Sequence, residues 1–199
     1  MEDYPDAIFI EDVCLCTPHC AIITRPGAKT RRGETDSFAN ILSDYYKNIH
    51  SITAAGTVEA GDIMMVGNHY YIGLSERTNQ KGAQQLIHIL EQYGMKGTIV
   101  AIGKVLHLKT AVSYLENNCL LLAESMYHNE AFQSFHKIAV NMQESYAANA
   151  VWVNGQVLFP SNHCTTLNKL KAEGYNPLEI DISEFQKLDG GMSCLSLRF

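Results

Sequence analysis

Asp62-Ile-Met-Met-Val66, then Gly67-Asn68, then Tyr70-Tyr-Ile-Gly73 is the stretch that decides how the chain is read. Two short apolar runs joined by a Gly-Asn pair predict a β-hairpin. The polar segment Ser75-Glu-Arg77-Thr-Asn79 follows, and Ala83, Leu86, Ile87 and Leu90 then recur at helical spacing, predicting a helix over Lys81 to Tyr93. Gly94 stands where a helix C-cap glycine belongs, and Thr98-Ile-Val-Ala-Ile102 reads as a closing strand. The unit is therefore strand, strand, helix, strand.

Three other stretches carry the same order. The first runs through a strand at Ala7 to Val13, a turn at Thr17-Pro18-His19, a strand at Ala21 to Thr24 and a helix over Thr35 to Tyr46. Another has strands near Ala111 to Tyr114 and Cys119 to Leu122, a helix at Asn129 to Phe135 and a strand at Lys137 to Val140. The last has Ala150 to Val153, the turn Asn154-Gly155, Gln156 to Phe159, a helix at Thr165 to Glu173 and a strand at Leu178 to Ile182. A final strand is expected from Met192 to Phe199. The segments open near Asp12, Glu59, His107, Asn149 and Cys194, at separations of 47, 48, 42 and 45 residues. A repeat near 45 residues implies a propeller-like array in which residues distant in sequence share one site, although an ordinary α+β chain yields loosely similar spacing.

Of 199 residues, 46% are hydrophobic and 18% charged, with a formal net charge of −6. That apolar content excludes a disordered chain and suffices for a sizeable core, and no linker composition divides residues 1–199 into separate domains. The acidic balance argues against a nucleic-acid partner, and no apolar run approaches the roughly 20 residues of a membrane span. Met1-Glu2-Asp3-Tyr4-Pro5-Asp6 lacks the features of a signal peptide, so a cytoplasmic location is expected. The six cysteines (14, 16, 20, 119, 164 and 194) then read as free thiols. Cys14-x-Cys16 with His19-Cys20 also admits a zinc reading, but no second ligand pair stands at finger spacing.

The chemistry concentrates at a few points. Cys194 follows Asp189-Gly-Gly-Met-Ser, where two glycines let backbone approach a ligand, and Cys with His107 makes a nucleophile and proton-transfer pair. Glu11-Asp12 and Glu59-Ala-Gly-Asp62 put acids at apolar rims. There they are either solvated turn residues or partners of a cation, for which a planar guanidinium is well matched. Arg31, in the basic loop Thr24 to Glu34, and Arg77, in the equivalent loop of the next module, either face solvent or clamp a carboxylate.

Phe9-Ile-Glu11-Asp12, Ile22-Ile-Thr-Arg-Pro-Gly27 with Arg31-Arg-Gly-Glu34, Gly56-Thr-Val-Glu59-Ala-Gly-Asp62, His107-Leu-Lys109-Thr110 and Asp189-Gly-Gly-Met-Ser-Cys194 together resemble dimethylarginine dimethylaminohydrolase, of the guanidine-modifying pentein superfamily. The resemblance runs from about Asp6 to Phe199. It implies an α+β fold, a pentein-type α/β propeller of ββαβ modules around a pseudo-five-fold axis, with part of the first module missing. It also implies hydrolysis of Nω-methylated L-arginines to L-citrulline and the methylamine. Cys194 is then the nucleophile, His107 the general acid/base, and Glu59 the catalytic residue supporting them. Asp12, with Glu11 beside it, grips the guanidinium; Asp6 and a carbonyl near Leu188 take the α-amino group; Arg31 and Arg77 bind the carboxylate. No metal and no cofactor are implied. The partner is a small molecule, with a homodimer compatible with the family. Arginine deiminases resemble the chain too, but usually carry an acid two residues after the histidine, where this sequence has Lys109. An inactive arginine-binding module is the alternative outside enzymes.

Overall fold

The computed structural model describes residues 4–36 and 38–198. Its contacts divide the chain into two compact units, one of residues up to Leu108 joined by those from Cys194 on, the other of Lys109–Ser193.

In the first unit, strands β1 (Cys14–Cys16) and β2 (Ala21–Ile23) precede the short helix α1 (Phe38–Leu42) and strand β3 (Ile49–Ser51). Strands β4 (Ile63–Val66) and β5 (His69–Leu74), helix α2 (Gln80–Glu91) and strand β6 (Lys96–Ala101) follow. Each group is a three-stranded sheet, and in each the hairpin pair is antiparallel while the third strand returns parallel to the second. A parallel return needs a crossover, which α2 supplies in the second group. Asn79 caps that helix by accepting from Gly82 N at 2.8 Å, and Gly94, at φ +72°, ends it in the left-handed conformation that a glycine adopts without a Cβ penalty. The face buried by α2 is Ala83, Leu86, Ile89 and Leu90, against Ile63, Tyr70, Ile72 and Met95; Ile87, expected on that face, lies only partly under cover. Each such fully buried aliphatic side chain contributes about 1.5–3 kcal/mol.

The second unit repeats the pattern. The turn α3 (Leu108–Ala111) leads into β7 (Val112–Tyr114), β8 (Cys119–Ala123) and β9 (His136–Val140). Next come β10 (Val151–Val153), β11 (Gln156–Pro160), helix α4 (Cys164–Ala172), β12 (Pro177–Ile180) and helix α5 (Ser183–Gln186). Again each sheet pairs antiparallel, then parallel. The β10–β11 turn places both Asn154 (φ +50°) and Gly155 (φ +77°) in the left-handed region, as a two-residue hairpin of the primed type requires.

Four expected elements differ. Of the helix expected over Thr35 to Tyr46, the described residues hold only α1, with Thr35 closing the 3₁₀ segment Lys29–Thr35. Ala7 to Val13 is not a strand but two 3₁₀ turns, Pro5–Ile8 and Ile10–Val13, because the carbonyls of Asp6 and Phe9 are taken by the Arg31 guanidinium rather than by a strand. Asn129 to Phe135 holds only the single 3₁₀ turn Glu130–Phe132, capped by Asn129. Met192 onward is no strand either: Ser193–Leu195 is a 3₁₀ turn, its Ser193 N–H bound by a side chain instead of a ladder partner. Ser37, within the expected first helix, and Phe199 lie outside the described residues. Among the described residues no helix is long and apolar enough to cross a membrane.

Candidate active site

The turn Ile10–Val13 sets Asp12 at the start of the first module, its carbonyl held by Thr24 Oγ1 at 2.7 Å. One carboxylate oxygen of Asp12 accepts from Gly61 N at 2.9 Å, and the other contacts Arg31 Nη1 at 2.6 Å. Glu59 precedes the turn Ala60–Asp62 that enters β4, and its own N–H donates to Thr78 Oγ1. Its Oε1 accepts from Ala28 N at 3.1 Å and its Oε2 lies 2.8 Å from His107 Nε2. The same ring nitrogen is 4.0 Å from Asp12 Oδ1. Two carboxylates and one imidazole, all buried, therefore converge from three chain segments.

Gly61 makes this convergence feasible. A Cβ there would come within 2.8 Å of Asp12 Oδ1 and 2.9 Å of the His107 ring, so any side chain would force one of them away.

Burial alone would push His107 toward its neutral form. The hydrogen bond to Glu59 and the charges of Asp12, Asp62 and Glu59 outweigh it, holding the imidazole up at about 9. For Glu59, burial pushes upward, but the His107 contact, the Ala28 N–H and the Arg77 charge leave its carboxyl below the ordinary value. For Asp62, burial prevails over its partners and the carboxyl is raised.

Arg31 is nearly fully buried. Its Nε and Nη2 engage the Glu34 carboxylate, Nη2 also reaches the carbonyls of Asp6 and Phe9, and Nη1 holds Asp12. Of its five N–H groups this leaves one, on Nη1, beyond the partners among the described residues. Arg77 differs: its side chain is 34% exposed, with Nη1 3.9 Å from Glu59 Oε1. Glu11 is buried with Arg198 3.6 Å away, whereas the Asp6 side chain is exposed. Leu188 is 65% exposed, in the other unit. Cys194 is half-buried in the turn Ser193–Leu195 and begins the tail that belongs with residues up to Leu108. Leu197 in that tail packs against the core of Val13, Cys14, Phe38 and Leu42.

Among the described residues, Asp12, Glu59 and His107 offer three ligand atoms within 4.8 Å of one another, a set able to receive a divalent cation. The zinc reading of the N-terminal cysteines finds no such set. Cys14 and Cys16 are buried with their sulfurs 3.9 Å apart, while His19 is exposed.

A family model described as Arginine deiminase matches residues 1–151. Over all 199 residues the chain is 52% identical to N(G),N(G)-dimethylarginine dimethylaminohydrolase of Pseudomonas aeruginosa, spanning 78% of that protein. The chain belongs to the dimethylarginine dimethylaminohydrolase family. The Streptomyces coelicolor member is 32% identical over 197 residues, with 99% of this chain and 76% of that protein covered. A solved structure of DDAH from Pseudomonas aeruginosa, a cysteine-to-serine mutant complexed with citrulline, superposes with a TM-score of 0.97 at 51% identity, covering all of this chain and 78% of that one. The fold is thus the α+β pentein type of this family.

Two residues that the sequence reading quoted in its motifs without giving them a site role of their own belong to the site's architecture. Glu34 is buried against Arg31 in a forked contact, and the Arg31-x-x-Glu34 spacing across one turn was the available signal. Asp62 is fully buried; it accepts from Ser75 Oγ at 2.6 Å and from Leu108 N at 2.9 Å, fixing the chain immediately after His107. Its signal was the second acid of Glu59-x-x-Asp62.

Proposed function

We propose that this chain hydrolyses Nω,Nω-dimethyl-L-arginine and Nω-monomethyl-L-arginine to L-citrulline plus dimethylamine or methylamine, with Cys194 as nucleophile and His107 as general acid/base. The observation that supports the reading most is the buried Glu59–His107 contact at 2.8 Å, with Asp12 beside the same nitrogen.

The guanidinium carbon resists attack because its charge is delocalised, and an amine departs poorly as an anion. Asp12 and Glu59 favour a cation in the site, so a guanidinium group enters where carboxylates would otherwise lack full compensation. The Cys194 thiolate adds to the guanidinium carbon, forming a C–S bond and a tetrahedral adduct. His107, held in its charged form at neutral pH by the surrounding acids, gives its proton to the methylated nitrogen. That transfer lets the neutral amine leave, a contribution of typically about 10²–10⁴-fold. The histidine, now neutral, takes a proton from water, whose oxygen attacks the thiouronium carbon. The C–S bond breaks as the adduct's hydroxyl proton passes to the departing sulfur, releasing citrulline, and the Cys194 thiol then gives that proton to solvent to restore the starting thiolate.

At the other end of the substrate, Asp6 receives the α-amino group. Arg77 takes the carboxylate with the exposed part of its side chain, together with the remaining Nη1 N–H of Arg31.

Incubation with dimethylarginine and assay of citrulline tests the activity, with L-arginine under identical conditions as the comparison that separates it from a deiminase. Cys194→Ser is expected to abolish citrulline formation; retained turnover would refute the assigned nucleophile.

A further inference from the structure

Asn149 opens the fourth module at the spacing where the others carry Asp12, Glu59, His107 and Cys194, yet the chemistry above leaves it unused. Its amide is nearly fully buried, at 4% exposure. The side-chain oxygen accepts from Ser193 N at 2.8 Å and the side-chain nitrogen donates to Ser193 Oγ at 3.2 Å. Three residues earlier, in the 3₁₀ segment Met142–Ala148 that Asn149 caps, the Tyr146 hydroxyl donates to the carbonyl of Gly190. Two side chains from one short segment therefore grip both ends of Gly190-Gly-Met-Ser193, the run that leads directly into Cys194.

The grip has a rigid base. Ser113 Oγ donates to the Ala148 carbonyl at 2.7 Å and accepts from Ala150 N at 2.9 Å, bracketing Asn149 on either side. Upstream, the Glu144 carboxylate accepts from the backbone of Thr165 and Thr166 at the start of α4. The gripped run is itself buried from Gly190 to Ser193, after the exposed Leu188 and Asp189. Gly191 lies against the amide: a Cβ there would stand 2.5 Å from Asn149 Cγ and Nδ2. Contact that close is open only to glycine, so the second glycine of Asp189-Gly-Gly follows from Asn149.

We infer that Asn149, with Tyr146, is a positioning residue that aims Cys194 by fixing the backbone of Gly190 to Ser193. The inference deepens the reading of Cys194 as nucleophile and rests on it. A nucleophile misplaced by about 1 Å costs up to roughly 10²-fold in rate, so a buried two-point clamp one residue away has leverage over kcat without touching substrate.

The test compares Asn149→Ala, Gly191→Ala, the double variant and Tyr146→Phe. For each, kcat and KM for dimethylarginine, the thermal melt, and the rate of Cys194 alkylation by iodoacetamide read from its peptide mass are measured. Alkylation of the exposed Cys164 serves as the internal control. Asn149→Ala is expected to lower kcat roughly 10–100-fold while KM moves less than about threefold. Gly191→Ala should change kcat and the Cys194 alkylation rate roughly tenfold in the presence of Asn149, but have little further effect in the Asn149→Ala background, where the amide it strikes is gone. Tyr146→Phe removes one hydroxyl, so it tests the clamp even where the alanine variants melt early; a kcat several-fold lower at unchanged KM is expected. Wild-type kcat in Tyr146→Phe and Asn149→Ala, or independent multiplicative effects of Asn149→Ala and Gly191→Ala, would overturn the proposal. Alkylation needs no turnover, so the coupling between Asn149 and Gly191 at the Cys194 thiol decides the clamp even if Cys194→Ser were to remain active and the nucleophile reading fell.

Discussion

Glu59 Oε2 and His107 Nε2 stand 2.8 Å apart in a site where neither residue is more than 6% exposed. A buried carboxylate and a buried imidazole stabilise the fold only while they share a charge on each side. The pairing therefore links the site to stability through the His107 proton.

Below pH 6.5, the imidazole is protonated in both folded and unfolded chains and the pair contributes fully. As pH rises from 6.5 the unfolded chain loses that proton while the folded chain keeps it, so stability falls until the folded ring titrates at about 9. The loss across that window amounts to about 3 kcal/mol. Urea unfolding at pH 6, 7.5 and 9 checks it: the wild-type stability should decline more steeply than that of His107→Gln. Parallel slopes would assign the pH dependence elsewhere.

Arg31 pairs with two buried acids at once, Asp12 at 2.6 Å and Glu34 at 2.7 Å, one positive charge shared between two negative ones. Arg31→Ala removes the paired cation from both carboxylates, leaving Asp12 only the imidazolium of His107 at 4.0 Å, at a cost of about 3–5 kcal/mol. The urea midpoint should drop accordingly. Arg31→Lys should fall between, since an ammonium cannot reproduce the fork to Glu34. An unfolding free energy for Arg31→Ala within about 1 kcal/mol of wild type, the range of an exposed ion pair, would show that water compensates the acids.

Gly61 lies where Asp12 and His107 nearly touch the backbone. Gly61→Ala inserts a methyl at 2.8–2.9 Å from both, and is expected to lower kcat by about tenfold or more for a stability cost of about 1–3 kcal/mol. Turnover and melting measured on the same preparation separate the two effects. Undiminished turnover would mean that the Asp12–His107 arrangement yields without consequence.

Arg77, a third exposed and 3.9 Å from Glu59, contributes little to folding. Arg77→Ala is expected to change stability by less than about 1 kcal/mol and to raise KM for dimethylarginine roughly 10–100-fold with kcat nearly unchanged, the signature of lost uniform binding. A kcat loss at constant KM would place Arg77 in the chemical step.

The legible part of the molecule was the part carried by local periodicity. The hairpin at Gly67-Asn68, helix α2 and the Asn154-Gly155 turn follow from alternation, helical spacing and turn residues, and they stand in the structure with small shifts in their ends. Ala7 to Val13 and Met192 onward misled because apolar residues there are buried without being strands. Their backbone groups are satisfied by the distant side chains of Arg31 and Asn149, which no local pattern announces. Asp12, Glu59 and His107 were legible as residue types at a repeat spacing. That Arg31 closes on Asp12 was not, nor that Gly61 and Gly191 are glycines because Asp12, His107 and Asn149 press on them.

By itself, then, the order of amino acids settled the module and its repetition, because hydrophobic period and turn preference act within a few residues. Tertiary structure alone decided which of the distant groups meet: these ion pairs and hydrogen bonds are ångström-scale relations of a side chain to another side chain or to a backbone N–H 19 to 49 positions away. Whether a buried acid there meets an arginine, an imidazole or a backbone N–H is chosen by folding, since burial without such a partner would cost several kcal/mol.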